Sequence, residues 1–274
     1  MSGMIDPLTA YLPKFEPGWV WLAGAGPGDP GLLTLHALHG LRHADAIVYD
    51  ALVCDAILVL ANANASLVYA GKRGGKPSPT QADVTLRIVE LARAGKRVLR
   101  LKGGDPMVFG RGGEEALSLV EAGVPFRIIP GISAGIGGLA YAGIPLTHRD
   151  TNSVVSFLTG HDSAGVVPDR IDWQAVARGS PVLVIYMALK HIRQIAERLI
   201  ASGRPQDEPV AVVADATLPT QRVLETTLGR CVADLAAARL EPPAIVVVGE
   251  VVRLRASLNW LGSLAERASV AVGR

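Results

Sequence analysis

A chain of 274 residues with a net charge of +2 is long enough for one large or two ordinary domains, and it lacks the overall positive field of a nucleic-acid-binding protein. Nearly half of the residues (49%) are apolar, so a sizeable core can form, whereas Cys54 and Cys231 give neither a disulfide framework nor a metal-ligand spacing. The longest apolar runs have the length of strands and no signal-peptide pattern opens the chain, so we expect a cytoplasmic protein.

The first half of the chain alternates segments that predict strands with segments that predict helices, after an N-terminal arm at 1–17. The predicted strands are 19–23, 46–49, 67–70, 98–101 and 126–129. The predicted helices are 32–41, 55–61, 80–94, 114–122 and 134–142, with Thr80 as the cap of the third. Asp29 followed by Pro30 is a favourable helix start, since aspartate caps a helix and proline fits its first turn.

The segment 100–112 is the most informative stretch, because it joins a predicted strand to a predicted helix and contains two adjacent glycines. Gly103 and Gly104 would let a ligand lie against the backbone. Asp105 then offers an acceptor for hydroxyl or amino groups, and Arg111 adds a charged fork of donors. We expect a ligand-binding loop here, and a tight connecting turn is the plainer alternative.

A second glycine-rich loop, 24–31, follows the first predicted strand and matches the first two glycines of a dinucleotide-binding fingerprint. The third glycine would stand at Asp29, whose carboxylate would repel phosphate, and Pro27 lacks an N–H for a pyrophosphate. The loop therefore fits a ligand without phosphate groups better. A nicotinamide-dependent oxidoreductase, with Asp50 as the acidic residue after the second strand, is a rival from another functional class, and a plain turn is the structural alternative.

Two charged features follow the next strands. Asp50 ends the second predicted strand, on the side of such a sheet where ligands bind. The loop 71–78 carries Lys72, Arg73 and Lys76 among glycines. It predicts either a solvated basic loop or a binding site for a substrate rich in carboxylates or phosphates.

The segment 130–150 predicts the junction between two domains. Ser133 is placed to cap the helix 134–142, whose small residues allow close approach of a backbone or a ligand. The linker after it brings His148 and Arg149 to an interdomain cleft, or leaves them solvated. We expect an N-terminal α/β domain at 18–148 that includes the linker helix, a C-terminal α/β domain at 149–264 and a flexible tail at 265–274.

The second half continues the alternation. Its predicted strands are 153–159, 182–187, 210–214, 222–227 (antiparallel) and 244–251, and its predicted helices are 173–177, 189–201, 232–238 and 254–267. His191 and Arg193 are expected to be exposed on the second of these helices. Met187 ends a strand, where methionine serves either the core or a ligand. The expected fold class is two α/β domains whose ligand loops face a shared cleft.

Together these motifs resemble the tetrapyrrole methylase family, which belongs to the class III S-adenosylmethionine-dependent methyltransferases. The matching segments, in chain order, are 24–29, 49–50, 71–73, 101–112, 130–134, 143–149, 159–161, 186–187 and 243–244. The resemblance implies S-adenosyl-L-methionine as methyl donor, S-adenosyl-L-homocysteine as product, a tetrapyrrole substrate and a homodimer. It also implies a donor site in a cleft between two α/β domains.

The resemblance further implies roles for individual residues. The donor site would be formed by Pro27, Gly103, Gly104, Asp105, Val108, Ser133, Ala134, Met187, Ala216, Pro243 and Ala244. Asp50 would accept a proton and Lys72 would donate one, and the substrate would be bound by Arg73, Lys76, Arg111, His148, Arg149 and His161. Ala216 stands where relatives often carry glycine, and alanine adopts a positive φ less readily. Ser133 stands where relatives often carry threonine.

A carboxylate-rich tetrapyrrole gives the cations around the cleft a reason to cluster although the whole chain is nearly neutral. Within the family, Lys72 and Arg73 together with 143–149 favour the first C-methylation of the cobalamin and sirohaem branch. The alternatives are methylation of a later corrin intermediate and, less favoured, ribosomal RNA or diphthamide methylation. No metal is needed, since the sulfonium already carries the leaving group. A non-catalytic tetrapyrrole carrier is the alternative from a different class.

Overall fold

The computed structural model describes residues 10–71, 81–162 and 164–262, which belong to two compact units divided between Ser133 and Ala134. Each unit contains a five-stranded sheet together with helices, so the predicted α/β class is confirmed. Among the described residues, no helix is both long and apolar enough to cross a membrane.

The first unit is built on a parallel sheet. Its strands are β1 (Val20–Gly24), β2 (Ala46–Tyr49), β3 (Ser66–Tyr69), β4 (Val98–Lys102) and β5 (Phe126–Ile129). Its helices are α1 (Leu35–His43), α2 (Asp55–Leu58), α3 (Gln81–Arg93) and α4 (Gly112–Glu121). The strand order is β3-β2-β4-β1-β5, with every neighbouring pair parallel. The predicted positions of all five strands are confirmed to within a residue, and the predicted cap Thr80 lies outside the described residues.

The glycine-rich loop after β1 leads into a short 3-10 turn, Pro30–Leu32, and not directly into a helix. Asp29 caps this turn by accepting a hydrogen bond from the N–H of Gly31 at 2.7 Å. Helix α1 begins later, where the hydroxyl of Thr34 accepts from the N–H of Ala37 at 3.1 Å. The predicted pairing of Asp29 as cap with Pro30 in the first turn is confirmed, but it starts this 3-10 turn and not the longer helix α1, which has its own cap at Thr34.

Strand β4 is central in the first sheet, and its two faces differ. Leu99 and Leu101 are fully buried and pack with residues of α1 and α2. The opposite face begins with Val98, which packs with residues of α3 and α4. Because side chains alternate along a strand, Arg100 and Lys102 point to that second face. They are 2% and 4% exposed, so two cations lie inside an otherwise apolar core.

The second unit is built on a mixed sheet. Its strands are β6 (Val155–Thr159), β7 (Val182–Tyr186), β8 (Pro209–Ala214), β9 (Arg222–Thr227) and β10 (Ala244–Val248). Its helices are α5 (Ala134–Tyr141), α6 (Trp173–Gly179), α7 (Ile192–Ala201), α8 (Cys231–Ala238) and α9 (Arg255–Leu258). The strand order is β6-β7-β10-β8-β9, and β6 and β7 are its parallel pair. The predicted antiparallel strand 222–227 is confirmed.

The unit boundary lies earlier in the chain than the division expected at 148–149. Helix α5 and the residues after it belong to the second unit because their apolar side chains pack on the second sheet: Leu139 and Ile144 cluster with Val184. The hydroxyl of Tyr186 on β7 also accepts a hydrogen bond from the N–H of Gly135 at 2.9 Å. The predicted linker helix is therefore part of the second core.

The remaining differences lie at the ends of elements: β6 begins at Val155 and β10 ends at Val248, where strands 153–159 and 244–251 were predicted, and α2 ends at Leu58 where 61 was predicted. Residues 189–201 form a 3-10 turn, Leu189–His191, followed by α7, and His191 is half-buried rather than exposed as predicted. The last predicted helix, 254–267, is interrupted. A 3-10 turn at Glu250–Leu254 precedes the short α9, which ends at Leu258. The part of that prediction beyond 262, and the predicted tail, lie outside the described residues.

Candidate functional site

The carboxyl ends of β1, β4 and β5 are joined by backbone contacts into one surface. Gly26 and Gly104 exchange two hydrogen bonds across an isolated antiparallel bridge, from the Gly104 N–H at 2.7 Å and the Gly26 N–H at 3.1 Å. A Cβ on Gly24 would overlap the carbonyl oxygen of Gly104 and lie 2.6 Å from the Cα of Gly131. We call these four glycines the glycine platform. It exists because backbones here pack without intervening side chains.

Asp105 fastens the platform together. Its Oδ1 accepts from the N–H of Met107 at 2.7 Å, and its Oδ2 accepts from the N–H of Gly131 at 2.9 Å. The carboxylate thus ties the loop after β4 to the loop after β5. The sequence led us to expect a ligand acceptor at this position, and the structure adds a second task that sequence reasoning missed. Each oxygen has a further lone pair with which to meet a ligand.

Exposed apolar side chains follow the two adjacent glycines. Met107, Val108 and Phe109 are 51%, 36% and 42% exposed, and Phe109 has φ of 51°. Arg111, with φ of 59°, opens α4 and pairs with Glu114 at 2.5 Å in an exposed ion pair. Surface pairs of this kind contribute little to stability. The loop therefore presents apolar surface and an accessible guanidinium beside the platform.

Asp50 follows β2 and accepts from two cations on β4. Its Oδ1 lies 2.6 Å from Nη2 of Arg100, and its Oδ2 lies 3.4 Å from Nζ of Lys102. Its side chain is 27% exposed, whereas those of Arg100 and Lys102 are 3% and 5% exposed. The carboxylate is therefore held in place from inside the unit and reaches solvent on its outer side.

Glu115 on α4 completes this group. Its Oε1 accepts from Nε2 of Gln81 at 2.8 Å, from Nζ of Lys102 at 3.0 Å and from Nε of Arg100 at 3.1 Å. Its side chain is 1% exposed. Burial by itself opposes ionisation, but the charges of Arg100 and Lys102 outweigh it and lower the pKa of the Glu115 carboxyl. Asp50, Arg100, Lys102 and Glu115 form a balanced set of two anions and two cations, which we call the buried ionic cluster.

Sequence reasoning found Asp50 and missed the three buried members of this cluster. A signal was present: Arg100 and Lys102 interrupt an apolar run at a spacing of two, which places both on one face of a strand. Glu115 carried no such signal, since one turn of an amphipathic helix can present a glutamate to solvent or to the core.

Several predicted residues of the first unit are less informative here. Pro27 is half-buried in the loop after β1, and Ser133 is 4% exposed at the end of the unit. Lys72, Arg73 and Lys76, with the basic loop predicted around them, lie outside the described residues.

In the second unit, one edge of the sheet gathers five of the predicted residues. Strand β10 runs antiparallel to β7 and β8, so its start lies beside their carboxyl ends, with Ala244 opposite Ala214 and Ile245 opposite Tyr186. Strand β6 ends at the same edge, with Thr159 opposite Tyr186. The residues placed there are His161, Met187, Ala216, Pro243 and Ala244.

Backbone conformations at this edge are unusual. Met187 has φ of 55° and is 43% exposed, so it is not a core residue. Nδ1 of His161 lies 3.3 Å from the carbonyl oxygen of Met187. Left-handed conformations are also found at Asp215 and Thr217, with φ of 49° and 67°, and not at Ala216 between them. A glycine at position 216 would have suggested a positive φ there. Ala216 does not adopt one, and the strained conformations fall on Asp215 and Thr217.

Ala216 itself is 8% exposed, and a Cβ on Gly138 would lie 2.7 Å from its methyl group. The N–H of Thr217 donates to Oε1 of Gln221 at 2.7 Å, and Nε2 of Gln221 donates to the carbonyl of Tyr141 at 3.3 Å. This loop is therefore fixed against the segment that follows β5, within the second unit.

His148 and Arg149 lie in the loop that enters β6, whereas His161 leaves that strand at its other end. The loop is closed by Asn152, which is 7% exposed and donates to the carbonyls of Leu146 and Val154 at 2.8 and 3.2 Å. Nδ1 of His148 lies 3.3 Å from the N–H of Asp150 inside the same turn. Arg149 is exposed. Asn152 is a structural residue that the sequence analysis did not identify.

Comparison with known proteins assigns the chain to a family. Residues 20–231 match the family described as tetrapyrrole (corrin/porphyrin) methylases. A uroporphyrinogen-III C-methyltransferase from Sinorhizobium sp is 70% identical over 264 residues, which cover 96% of this chain and 94% of that protein. The chain belongs to the tetrapyrrole methylase family, and the family predicted from the motifs is confirmed.

More distant relatives agree with this placement. The siroheme synthase of Neisseria meningitidis serogroup C (strain 053442) is 48% identical over 92% of this chain but 52% of its own length, so the chain spans about half of that protein. The uroporphyrin-III C-methyl transferase of Thermus thermophilus complexed with S-adenyl homocysteine has a TM-score of 0.73 at 39% identity, covering 86% of this chain and 99% of that one. A cobalt precorrin-4 methyltransferase has a TM-score of 0.76 at 25% identity, covering 86% and 96%.

Proposed function

We propose that this chain is an S-adenosylmethionine-dependent methyltransferase that methylates uroporphyrinogen III at C2 and C7, giving precorrin-2 by way of precorrin-1. The observation that carries the proposal is the 70% identity to the Sinorhizobium uroporphyrinogen-III C-methyltransferase over nearly the whole of both chains. The cobalt precorrin-4 methyltransferase has a similar TM-score at much lower identity. The fold alone therefore does not select the substrate, and the sequence match does.

The loop after β4, which contributes Gly104 to the glycine platform, suits the methyl donor. Gly103 and Gly104 are partly exposed and carry no side chains, so a ligand can approach their backbone, and Val108 adds apolar surface nearby. A donor without phosphate groups is compatible with Pro27 and with a long helix that begins well beyond the loop. When bound, S-adenosylmethionine supplies an electrophilic methyl group on a sulfonium. We assign Gly103, Gly104, Asp105, Val108, Pro27 and Ser133 of the first unit to the donor, together with Ala134, Met187, Ala216, Pro243 and Ala244 of the second.

The protein's part in the reaction is to hold the pyrrole carbon and the methyl group in line and to accept and donate protons. Each transfer forms a carbon–carbon bond and breaks a carbon–sulfur bond, whose electron pair stays on sulfur. The macrocycle is then cationic until it loses a proton. We assign Asp50 as the proton acceptor because its carboxylate is ion-paired with the buried Arg100 and Lys102 and is still partly exposed to solvent. Lys72 is the proposed proton donor.

Cationic side chains fit a substrate with carboxylates around its ring. Arg111 and Arg149 are exposed, and a guanidinium can bind a carboxylate through two parallel hydrogen bonds. His148 and His161 add donors that depend on protonation. We assign these four residues, with Arg73 and Lys76, to substrate binding. The homodimer, the cytoplasmic location and the role in cobalamin synthesis remain predictions, and the siroheme synthase relatives support a place on the sirohaem branch.

The test is a methyl-transfer assay without oxygen, with labelled S-adenosylmethionine and enzymatically generated uroporphyrinogen III. We expect two labelled methyl groups on a product that oxidises to a dimethylated isobacteriochlorin. Uroporphyrinogen I, with one pair of ring substituents exchanged, serves as a matched substrate to measure selectivity. Transfer to neither compound would reject the proposed substrate.

The same preparation separates the alternatives. If S-adenosylhomocysteine binds and no methyl group is transferred, the second candidate, a methylase of a later corrin intermediate, is favoured. Tight binding of S-adenosylhomocysteine counts against a tetrapyrrole carrier. A spectral change on adding a reduced nicotinamide cofactor, without S-adenosylhomocysteine binding, would revive the oxidoreductase.

A further inference from the structure

The buried ionic cluster is the least expected feature of the first unit. Arg100, Lys102 and Glu115 are each 5% exposed or less, and Asp50, at 27%, is the member that reaches solvent. Removing charges from water is costly, and a buried ion pair often stabilises a protein no more than apolar side chains of the same volume would. A gain in stability is therefore a weak explanation for this cluster. Its one solvent-accessible member is Asp50, the proposed proton acceptor.

The cluster is centred on one oxygen of Glu115. Three donors converge on Oε1, from Gln81 on α3 and from Arg100 and Lys102 on β4. The other oxygen, Oε2, is buried and makes no hydrogen bond among the described residues. The same two cations continue to the carboxylate of Asp50. Glu115 and Asp50 do not touch, and they are coupled through the cations that they share.

Counting charges shows what Glu115 contributes. With both acids ionised the cluster is neutral, and when Asp50 accepts a proton it gains one unbalanced positive charge. Without the charge of Glu115, the same proton would leave two buried cations with no counter-ion. Unbalanced buried charge is unfavourable, so Asp50 would then resist protonation. Within the part of the chain that the structure describes, the other charged groups close to the cluster are Arg111 and Glu114, an exposed pair whose charges offset each other.

We propose that Glu115 is a positioning residue for Asp50: through Arg100 and Lys102 it holds the Asp50 carboxylate in place and keeps it able to accept a proton. This inference rests on the proposed function, in which Asp50 takes the proton that the macrocycle loses. Glu115 does not contact substrate or donor in this scheme.

The direct test is the titration of Asp50 in Glu115→Gln, followed by ¹³C NMR of carboxyl-labelled aspartate, with Asp50→Asn used to assign the signal. The substitution preserves volume and removes one negative charge. We expect the midpoint to move to lower pH by about one unit, since two cations then favour the ionised form. Glu121→Gln, at the exposed end of the same helix, should leave it unchanged. An unchanged midpoint in Glu115→Gln would overturn the inference.

A compensating variant separates charge balance from general damage. Lys102→Met combined with Glu115→Gln removes one charge of each sign and leaves the Arg100–Asp50 pair. We expect the Asp50 midpoint to return to within about half a unit of the wild-type value. This variant also serves if Glu115→Gln alone does not fold. A midpoint that stays displaced in the balanced variant would contradict the proposal.

The rates give a second measure. Glu115→Gln should lower kcat about tenfold or more and shift the acid limb of the pH–rate profile downward, with S-adenosylhomocysteine affinity unchanged. Adding Glu115→Gln to Asp50→Asn should not lower kcat further, because Glu115 acts on the reaction through the Asp50 carboxylate. Multiplying losses would indicate an ordinary structural role. The NMR titration needs no substrate, so failure of the wild-type enzyme to methylate uroporphyrinogen III would reject the proposed function and leave the coupling independently tested.

Discussion

Strand β2 has an aspartate at each end, and the two behave differently. Asp45, before the strand, forms a two-pronged ion pair with Arg97, at 2.7 Å to Nη2 and 3.0 Å to Nε, and also accepts from the Arg97 backbone N–H at 2.9 Å. Asp50, after the strand, shares two buried cations with Glu115. One acid is fully committed to a single partner, whereas the other belongs to a coupled set.

The difference follows the direction of the parallel sheet. At the amino edge the chain enters its strands, and Asp45 and Arg97 fasten the starts of β2 and β4 together. The carboxyl edge is the one at which open α/β sheets generally bind their ligands. There, glycines replace side chains and charges are held by partners inside the unit. An ion pair at the first edge should therefore affect stability, and one at the second edge should affect the reaction.

The largest contrast should come from neutralising the two aspartates in turn. We expect Asp50→Asn to lower the methyl-transfer rate by about 10²–10⁴-fold, the usual contribution of a general base, with S-adenosylhomocysteine still bound. Asp45→Asn should leave the rate near that of wild type at temperatures where it is folded. Single-turnover kinetics with labelled donor would measure both. Equal losses in the two variants would remove the proposed distinction between the edges.

Glycines at the two edges should differ next in size of effect. Gly131→Ala would press its Cβ into the backbone of Gly24 and Gly104, so we expect a loss of about 3 kcal/mol or more in the free energy of unfolding. Gly95, before β4, has φ of 75° with open space around it. Gly95→Ala should lower the free energy of unfolding by about 1–2 kcal/mol, because alanine is strained in the left-handed backbone conformation and meets no steric clash. Urea unfolding measures both, and equal costs would contradict the close backbone packing at the platform.

Asp105 should show a smaller, mixed effect. Asp105→Ala removes the acceptors for the Met107 and Gly131 N–H groups, so we expect about 1–3 kcal/mol less stability and a roughly tenfold to hundredfold weaker S-adenosylhomocysteine complex. Asp105→Asn keeps one acceptor oxygen and should fall between. Calorimetric titration and urea unfolding on the same samples provide the measurements. Unchanged donor affinity in Asp105→Ala would move the donor away from this loop.

These contrasts also indicate how far the sequence could lead. The alternation of apolar runs with helical spacing predicted the strands of the first sheet, because in a buried parallel sheet the local pattern and the tertiary packing agree. The loop 100–112 is predicted to bind a ligand because a plain connecting turn rarely contains so many glycines within ten residues, and that role stays a prediction.

The sequence could not show partnerships between distant residues. The sequence indicated Asp105 as a ligand acceptor but gave no sign of its hydrogen bond with Gly131, because that bond spans 26 positions and leaves no local pattern. Glu115 looked like any polar residue of an amphipathic helix until β4 placed two cations against it. Asp29 was assigned to a helix start because the same residue type caps helices and single turns, and only the three-dimensional path distinguishes them.

The smallest predicted effect is the pH dependence of the Asp45 pair. Its hydrogen bonds from Arg97 lower the pKa of the Asp45 carboxyl from 3.8 to about 2. Because the pKa is lower in the folded state, the pair stabilises the protein above about pH 4 and loses that contribution as the pH falls toward 2. A pair with one face in solvent should contribute about 1–2 kcal/mol. Asp45→Asn should therefore be less stable than wild type by that amount at pH 7, and the gap should narrow between pH 4 and 3 in urea unfolding. A gap that stays constant with pH would show that the Asp45 carboxylate is not held by its charge, and that the amino edge is secured by packing alone.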